Sequence, residues 1–140
     1  MLVRKESEVF NLNVGATQCK KVLADLVQFG AMHPLILKVV PLEDGSGYYK
    51  IIERPLPAIP VKINYKARAI VNGDKIVYDI KEVPFHQLNL EYEITGDKNR
   101  SQITLNLIIK SMSFTKKFLA NKMIKAQEVI MDKIQDKYGN

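Results

Sequence analysis

The sequence predicts an α+β domain in which a curved antiparallel sheet of seven strands wraps around one long C-terminal helix. Three observations predict it. Alternating apolar and polar residues, divided by short turn clusters, fill the middle of the chain, as strands with one buried face require. From Phe114 to about Tyr138 there is neither glycine nor proline, and apolar residues recur at helical spacing. The chain has 140 residues, 46% of them hydrophobic and 26% charged, which suits one compact domain, residues 1–140.

Leu2 to Val14 alternates, with Phe10, Leu12 and Val14 opposite Asn11 and Asn13, and Gly15 stops this first strand. Thr17 stands where an N-cap is wanted for a short helix built on Val22, Leu23, Leu26 and Val27. Gly30 and Pro34 then break the helix, leaving room for at most one further turn. Ile36 to Val40 is β-branched and apolar, Glu43 to Gly47 is a turn cluster, and Tyr48 to Arg54 is the next strand. Pro55, Pro57 and Pro60 exclude a central strand from the apolar segment that follows. That loop is a lid at a cavity mouth, a lipid-inserting element or a rigid crossover packed on the protein.

Val61 to Val71 alternates most cleanly, with Val61, Ile63, Tyr65, Ala67 and Ala69 facing inward against Lys62, Asn64, Lys66 and Arg68. Asn72-Gly73 signals a two-residue hairpin. Lys75 to Val83 returns with Ile76, Tyr78 and Ile80 inward, and Pro84 ends it. His86 to Thr95 turns His86, Leu88, Leu90, Tyr92 and Ile94 inward, and Ser101 to Ser111 does the same with Ile103, Leu105, Leu107 and Ile109. The terminal helix carries a stripe of Leu119, Met123, Ala126, Ile130 and Ile134, flanked by Ala120, Gln127, Met131 and Tyr138. Ser113 or Thr115 would cap its start and Gly139 its end. At about 37 Å it is long enough to span a sheet.

Composition excludes several chemistries. A single cysteine, Cys19, rules out an internal disulfide framework, and with two histidines it rules out a Cys/His zinc finger. No metal or cofactor is expected. Gly45-Ser46-Gly47 lacks the helix and lysine of a phosphate loop. Asp79, Glu91 and Glu93 fall on the outer face, so no carboxylate dyad is visible. Cys19 lies beside Lys20 and Lys21, cations that lower a thiol pKa, but no local base accompanies it. The net charge of +6 raises the prior for an acidic partner. On the terminal helix, however, six lysines are interleaved with three acids, as on a solvated face. Peripheral membrane contact is therefore a secondary expectation, and sequence-specific nucleic-acid binding is not expected. Neither a signal-peptide pattern nor an apolar run of about 18 residues is visible, which makes the cytoplasm the expected setting. The oligomeric state is left open.

The order and lengths of these elements resemble the helix-grip fold of the START-like (SRPBCC) superfamily, which includes polyketide cyclase/dehydrase and birch-pollen-allergen-like proteins. The residues that carry the resemblance are Glu8-Val9-Phe10-Asn11-Leu12 leading to Thr17, Met32-His33-Pro34, Val39-Val40-Pro41-Leu42 before the Gly45/Gly47 turn, and the terminal helix. It covers nearly the whole chain. The resemblance implies an apolar cavity between the sheet and the last helix, in which such proteins bind lipids, isoprenoids or polyketides and some catalyse cyclisation or dehydration.

The wall of that cavity is expected to hold Tyr65, Ala67, Tyr78, His86, Leu90, Tyr92, Leu105, Leu107, Leu119, Met123, Ala126 and Gln127. Ala67 and Ala69 leave volume, and Met123, Ala126 and Met131 are small or adaptable. The inward tyrosine hydroxyls bind the polar end of a ligand, or they bond each other, the backbone or a buried water. His33, before Pro34, and His86 are the acid–base candidates by residue type, each against the plainer reading of a solvent-facing or satisfied side chain. The expected function is binding or transport of a small, largely apolar ligand. Its alternatives are a cyclase, aromatase or dehydratase acting through His86 or Tyr92, and an interaction module presenting the basic helix.

Overall fold

A computed structural model describes residues 2–56, 58–84, 86–111 and 116–139. The elements are β1 (Leu2–Leu12), α1 (Ala16–Ala24), α2 (Leu26–Met32), β2 (Ile36–Pro41), β3 (Tyr49–Glu53), β4 (Ile63–Asn72), β5 (Lys75–Lys81), β6 (His86–Gly96), β7 (Ser101–Ser111) and α3 (Lys116–Tyr138). The strands form one seven-stranded antiparallel sheet in the order β1-β7-β6-β5-β4-β3-β2. Strands β2 to β7 are a meander, and β1 joins its far edge by pairing with β7 along its whole length. Helix α3 packs on β1 and β7 and meets α1 and α2, while α1 also reaches β4, β5 and β6. This is the one-sided sheet with a covering helix that the alternation demands: inward Ile103, Leu105, Leu107 and Ile109 are all buried, and the residues between them are not.

Several local expectations are corrected. Gly15, not Thr17, is the N-cap of α1. A Cβ at Gly15 would collide with the Lys98 carbonyl, so glycine lets the helix start against the β6–β7 turn. The first helix does not run on through Leu26 and Val27 but ends at Ala24. Asp25 interrupts it with an extended backbone and restarts it, its carboxylate accepting from the N–H of Val27 at 3.0 Å and of Gln28 at 3.3 Å. Gly30 does not break a helix but lies inside α2, because a side chain there would run into Val39 on β2. Val61 stands outside β4 and is exposed. The β4–β5 hairpin is shifted by one residue: Asn72 pairs with Lys75, so the loop is Gly73-Asp74, with Gly73 at φ +62° as the first position of a type II′ turn requires. The expected caps Ser113 and Thr115, the helix start at Phe114 and Pro57 of the proline loop lie outside the described residues.

Candidate ligand-binding site

Between the sheet and the N-terminal half of α3 lies a cavity of about 330 Å³. Its floor is Ile51, Ile63, Tyr65, Ala67, Tyr78, Ile80, Leu88 and Leu90 from the inner faces of β3 to β6. One side is Leu26, Phe29 and His33 at α2, and the roof is Phe118, Leu119, Lys122, Met123, Ala126 and Gln127 of α3. Pro55 and Leu56 of the proline loop, with Leu35, Glu53, Val83, Pro84 and His86, complete the wall. The hollow exists because Ala67 and Ala126 place only methyl groups between sheet and helix, where full packing would need larger side chains.

The polar groups on this wall have defined partners. Tyr78, fully buried, donates its hydroxyl to the Leu23 carbonyl and holds edge-to-face contacts with Phe29 (5.1 Å, 86°) and Tyr92 (5.5 Å, 78°). Tyr92 donates to Gln127 Oε1, a bond that ties β6 to the middle of α3. Burial raises both phenols above their ordinary range, so both act as donors and neither ionises at neutral pH. Tyr65 donates to Glu53 Oε1 at 2.8 Å. Burial pushes the Glu53 carboxyl up, and the Tyr65 hydrogen bond opposes that. His33 Nδ1 accepts the Leu35 N–H at 3.0 Å, which assigns the proton of the neutral ring to Nε2. Burial, with nearby Lys133, lowers its pKa to about 4.

Of the residues expected on the wall, Tyr65, Ala67, Tyr78, His86, Leu90, Leu119, Met123, Ala126 and Gln127 are there. Tyr92, Leu105 and Leu107 are not. The β6–β7 register pairs Tyr92 with Leu105 and Leu90 with Leu107, and all four are buried. Tyr92 bonds Gln127, so its hydroxyl closes the hollow on that side. His86 pairs with Ser111 and has its Nδ1 buried without a hydrogen-bond partner among the described residues; burial lowers its pKa. It also borders a second, more open hollow of about 580 Å³ that shares Ile80, Val83 and Leu88 with the first. That hollow opens where the β5–β6 ladder ends, at Asp79 opposite Asn89.

Sequence reading missed Glu53, and it named His33 as an acid–base candidate in a turn without placing it on the cavity wall. A signal for Glu53 was present: it shares the parity of Tyr49 and buried Ile51 on β3, which turns a carboxylate inward. Cys19 is excluded as a nucleophile, because it is buried against Ser101 Oγ at 3.2 Å and desolvation raises its thiol pKa. Among the described residues no group of three His, Cys, Asp or Glu could hold a metal ion, and no helix is long and apolar enough to cross a membrane.

No family model and no curated protein sequence matches this chain. Solved structures do match it in shape. A START superfamily protein from Mycobacterium smegmatis aligns over 95% of this chain and 97% of its own, with TM-score 0.78 and 9% identity. The Zhui aromatase/cyclase from a Streptomyces species aligns over 94% of this chain and 93% of its own, with TM-score 0.72 and 16% identity. The di-domain aromatase/cyclase StfQ of the steffimycin biosynthetic pathway aligns over 98% of this chain and 51% of its own, with TM-score 0.79 and 10% identity. At such identities the likeness speaks for the fold, and the fold is the START-like helix-grip.

Proposed function

We propose that this helix-grip domain binds and carries a small, largely apolar molecule in the cavity between the sheet and α3. The observation that supports the reading is the hollow of about 330 Å³, apolar over most of its wall and kept open by Ala67 and Ala126. Burial of the ligand's apolar surface drives binding, at roughly 25 cal/mol per Å². A few convergent polar groups, Glu53 with Tyr65, His33 and Gln127, fix orientation. The START-like proteins and aromatase/cyclases of the same shape add weight to a cavity that holds ligands.

Titration with the fluorescent probe N-phenylnaphthylamine tests the reading. Wild type takes up the probe saturably at one site, and Ala126→Phe, which fills the hollow, loses it while still folding. Native mass spectrometry of protein from its own host then identifies any retained molecule. A wild type that takes up no probe and retains no molecule overturns the proposal.

A second reading is a cyclase, aromatase or dehydratase working in the same cavity. The observation that favours it is the set of titratable groups on the wall, Glu53, His33 and His86. Tyr92 has no part in it, being off the wall and bonded to Gln127. Bound molecules recovered chemically unchanged from wild type would count against this reading, and conversion lost in Glu53→Gln or His86→Ala would support it.

A further inference from the structure

Resting on the reading of the cavity as a ligand site, we propose that its ligand carries a hydrogen-bond-donating head, an amine or a hydroxyl, and not a carboxylate. The wall's own bonding leads there. Both tyrosines on the wall already donate their hydroxyl protons, Tyr78 to the Leu23 carbonyl and Tyr65 to Glu53 Oε1, and Tyr92, beyond the wall, donates to Gln127 Oε1. A phenol has one proton to donate, so no tyrosine donor is left for a ligand's acceptor. Among the described wall residues, an acceptor on the sheet side is left unfilled. Glu53 Oε1 takes the Tyr65 hydroxyl at 2.8 Å, while Oε2 has no hydrogen bond or ion pair among the described residues.

Glu53 lines the wall beside Ile51, Ile63 and Leu35 and is partly buried there, so water screens it less than in bulk. A carboxylate ligand placed there meets a like charge at low dielectric. A head with no donor strips water from Glu53 and returns nothing. An ammonium or hydroxyl proton supplies the missing partner, and a bond to a charged acceptor is among the stronger kind. His33 Nε2–H and the Gln127 amide supply donors for the lone pairs of a hydroxyl head. The one cation among the described wall residues, Lys122, stands on α3 beside the exposed Phe118 ring, 5.6 Å from its centroid, and forms no ion pair with Glu53.

The test is displacement of bound N-phenylnaphthylamine by three molecules with one decyl tail: decylamine, decanol and decanoate, each below its micelle concentration. Wild type is expected to hold the amine and the alcohol roughly tenfold or more tighter than the carboxylate. Glu53→Gln keeps an acceptor for Tyr65, so the fold survives. It is expected to lose roughly tenfold in amine affinity and to hold the carboxylate more tightly than wild type does. Tyr65→Phe, a second variant, leaves the carboxylate in place and retains amine binding. Decanoate binding as tightly as the amine to wild type, or an unchanged ranking in Glu53→Gln, overturns the proposal while leaving the ligand site standing. Failure of all three molecules and of the probe to bind overturns both.

Discussion

The two ends of α3 face opposite situations. Toward its C-terminus, Ile130, Met131 and Ile134 are each 2% exposed or less, and side-chain bonds fasten that end to its neighbours. Gln135 Oε1 accepts the Asn13 N–H at 2.7 Å, Lys133 Nζ donates to the Met32 carbonyl at 3.2 Å, and Tyr138 donates to Gln28 Oε1 at 3.1 Å. Toward its N-terminus, Leu119, Met123 and Ala126 look onto the hollow, and Phe118 is exposed. The sheet divides in the same way. On β7 the inward positions 103 to 109 are filled by Ile and Leu, whereas on β4 Ile63 is followed by Tyr65, Ala67 and Ala69. The Tyr92–Gln127 bond marks the border. One alternating pattern thus serves both halves. Side-chain volume, with a helix anchored at one end, decides which half is solid.

The contrast breaks most plainly under truncation. Leu105→Ala, in the packed half, is expected to cost about 3 kcal/mol, while Met123→Ala on the cavity wall costs about 1 kcal/mol, since space beside it is already open. Urea unfolding of both variants measures the gap, and equal losses would mean that the hollow half is as tightly packed as the other. The converse change sharpens the point within one helix. Ala120, buried and off the cavity wall, has no room to grow, so Ala120→Phe costs about 3 kcal/mol by overpacking. Ala126→Phe grows into empty space and leaves stability within about 1 kcal/mol of wild type.

The packed half was the more legible in sequence. The strict alternation of β6 and β7, the turn at residues 96–99 and the stripe on α3 each follow from one period and its punctuation. The hollow half was legible only where its signal was also periodic: Tyr65, Ala67 and Tyr78 fell on the wall because parity put them there. Tyr92, Leu105 and Leu107 share that parity but sit past the border, and parity carries no information about position along the cavity axis. Asp25 was overlooked, and Gly30 was read as a helix breaker, for different reasons. Asp25 is a local cap for Val27 and Gln28 N–H set in mid-run, where the apolar spacing on both sides conceals it, whereas Gly30 is small because Val39, nine residues away, would meet a side chain there. Glu53 was overlooked although parity pointed it inward.

The border itself is tested by Tyr92→Phe. Losing the hydroxyl leaves Gln127 Oε1 buried without its donor, at an expected cost of about 1–3 kcal/mol. Pairing it with Gln127→Met removes the orphaned acceptor and should restore most of that loss. If Tyr92→Phe alone is neutral, the pair does not hold the border.

The smallest expected effect is a pH dependence that separates the two walls of the hollow. His33 has an ordinary pKa of 6.5 and is lowered to about 4 in the fold by burial and by Lys133. Between those values the unfolded chain binds a proton that the native state refuses, so stability falls as pH drops from 6.5 to 4 and its His33 part levels off below. Glu53 works the other way: burial raises it above its ordinary 4.5, so its contribution falls as pH rises from there. Because the two oppose, the total slope hides both. The difference between wild type and His33→Asn, which keeps an acceptor for the Leu35 N–H, isolates the histidine. Wild-type stability minus that of the variant should rise steadily as pH rises from 4 to 6.5, read from urea midpoints. A difference independent of pH across that window would mean that His33 titrates alike in both states and that α2 does not shield it.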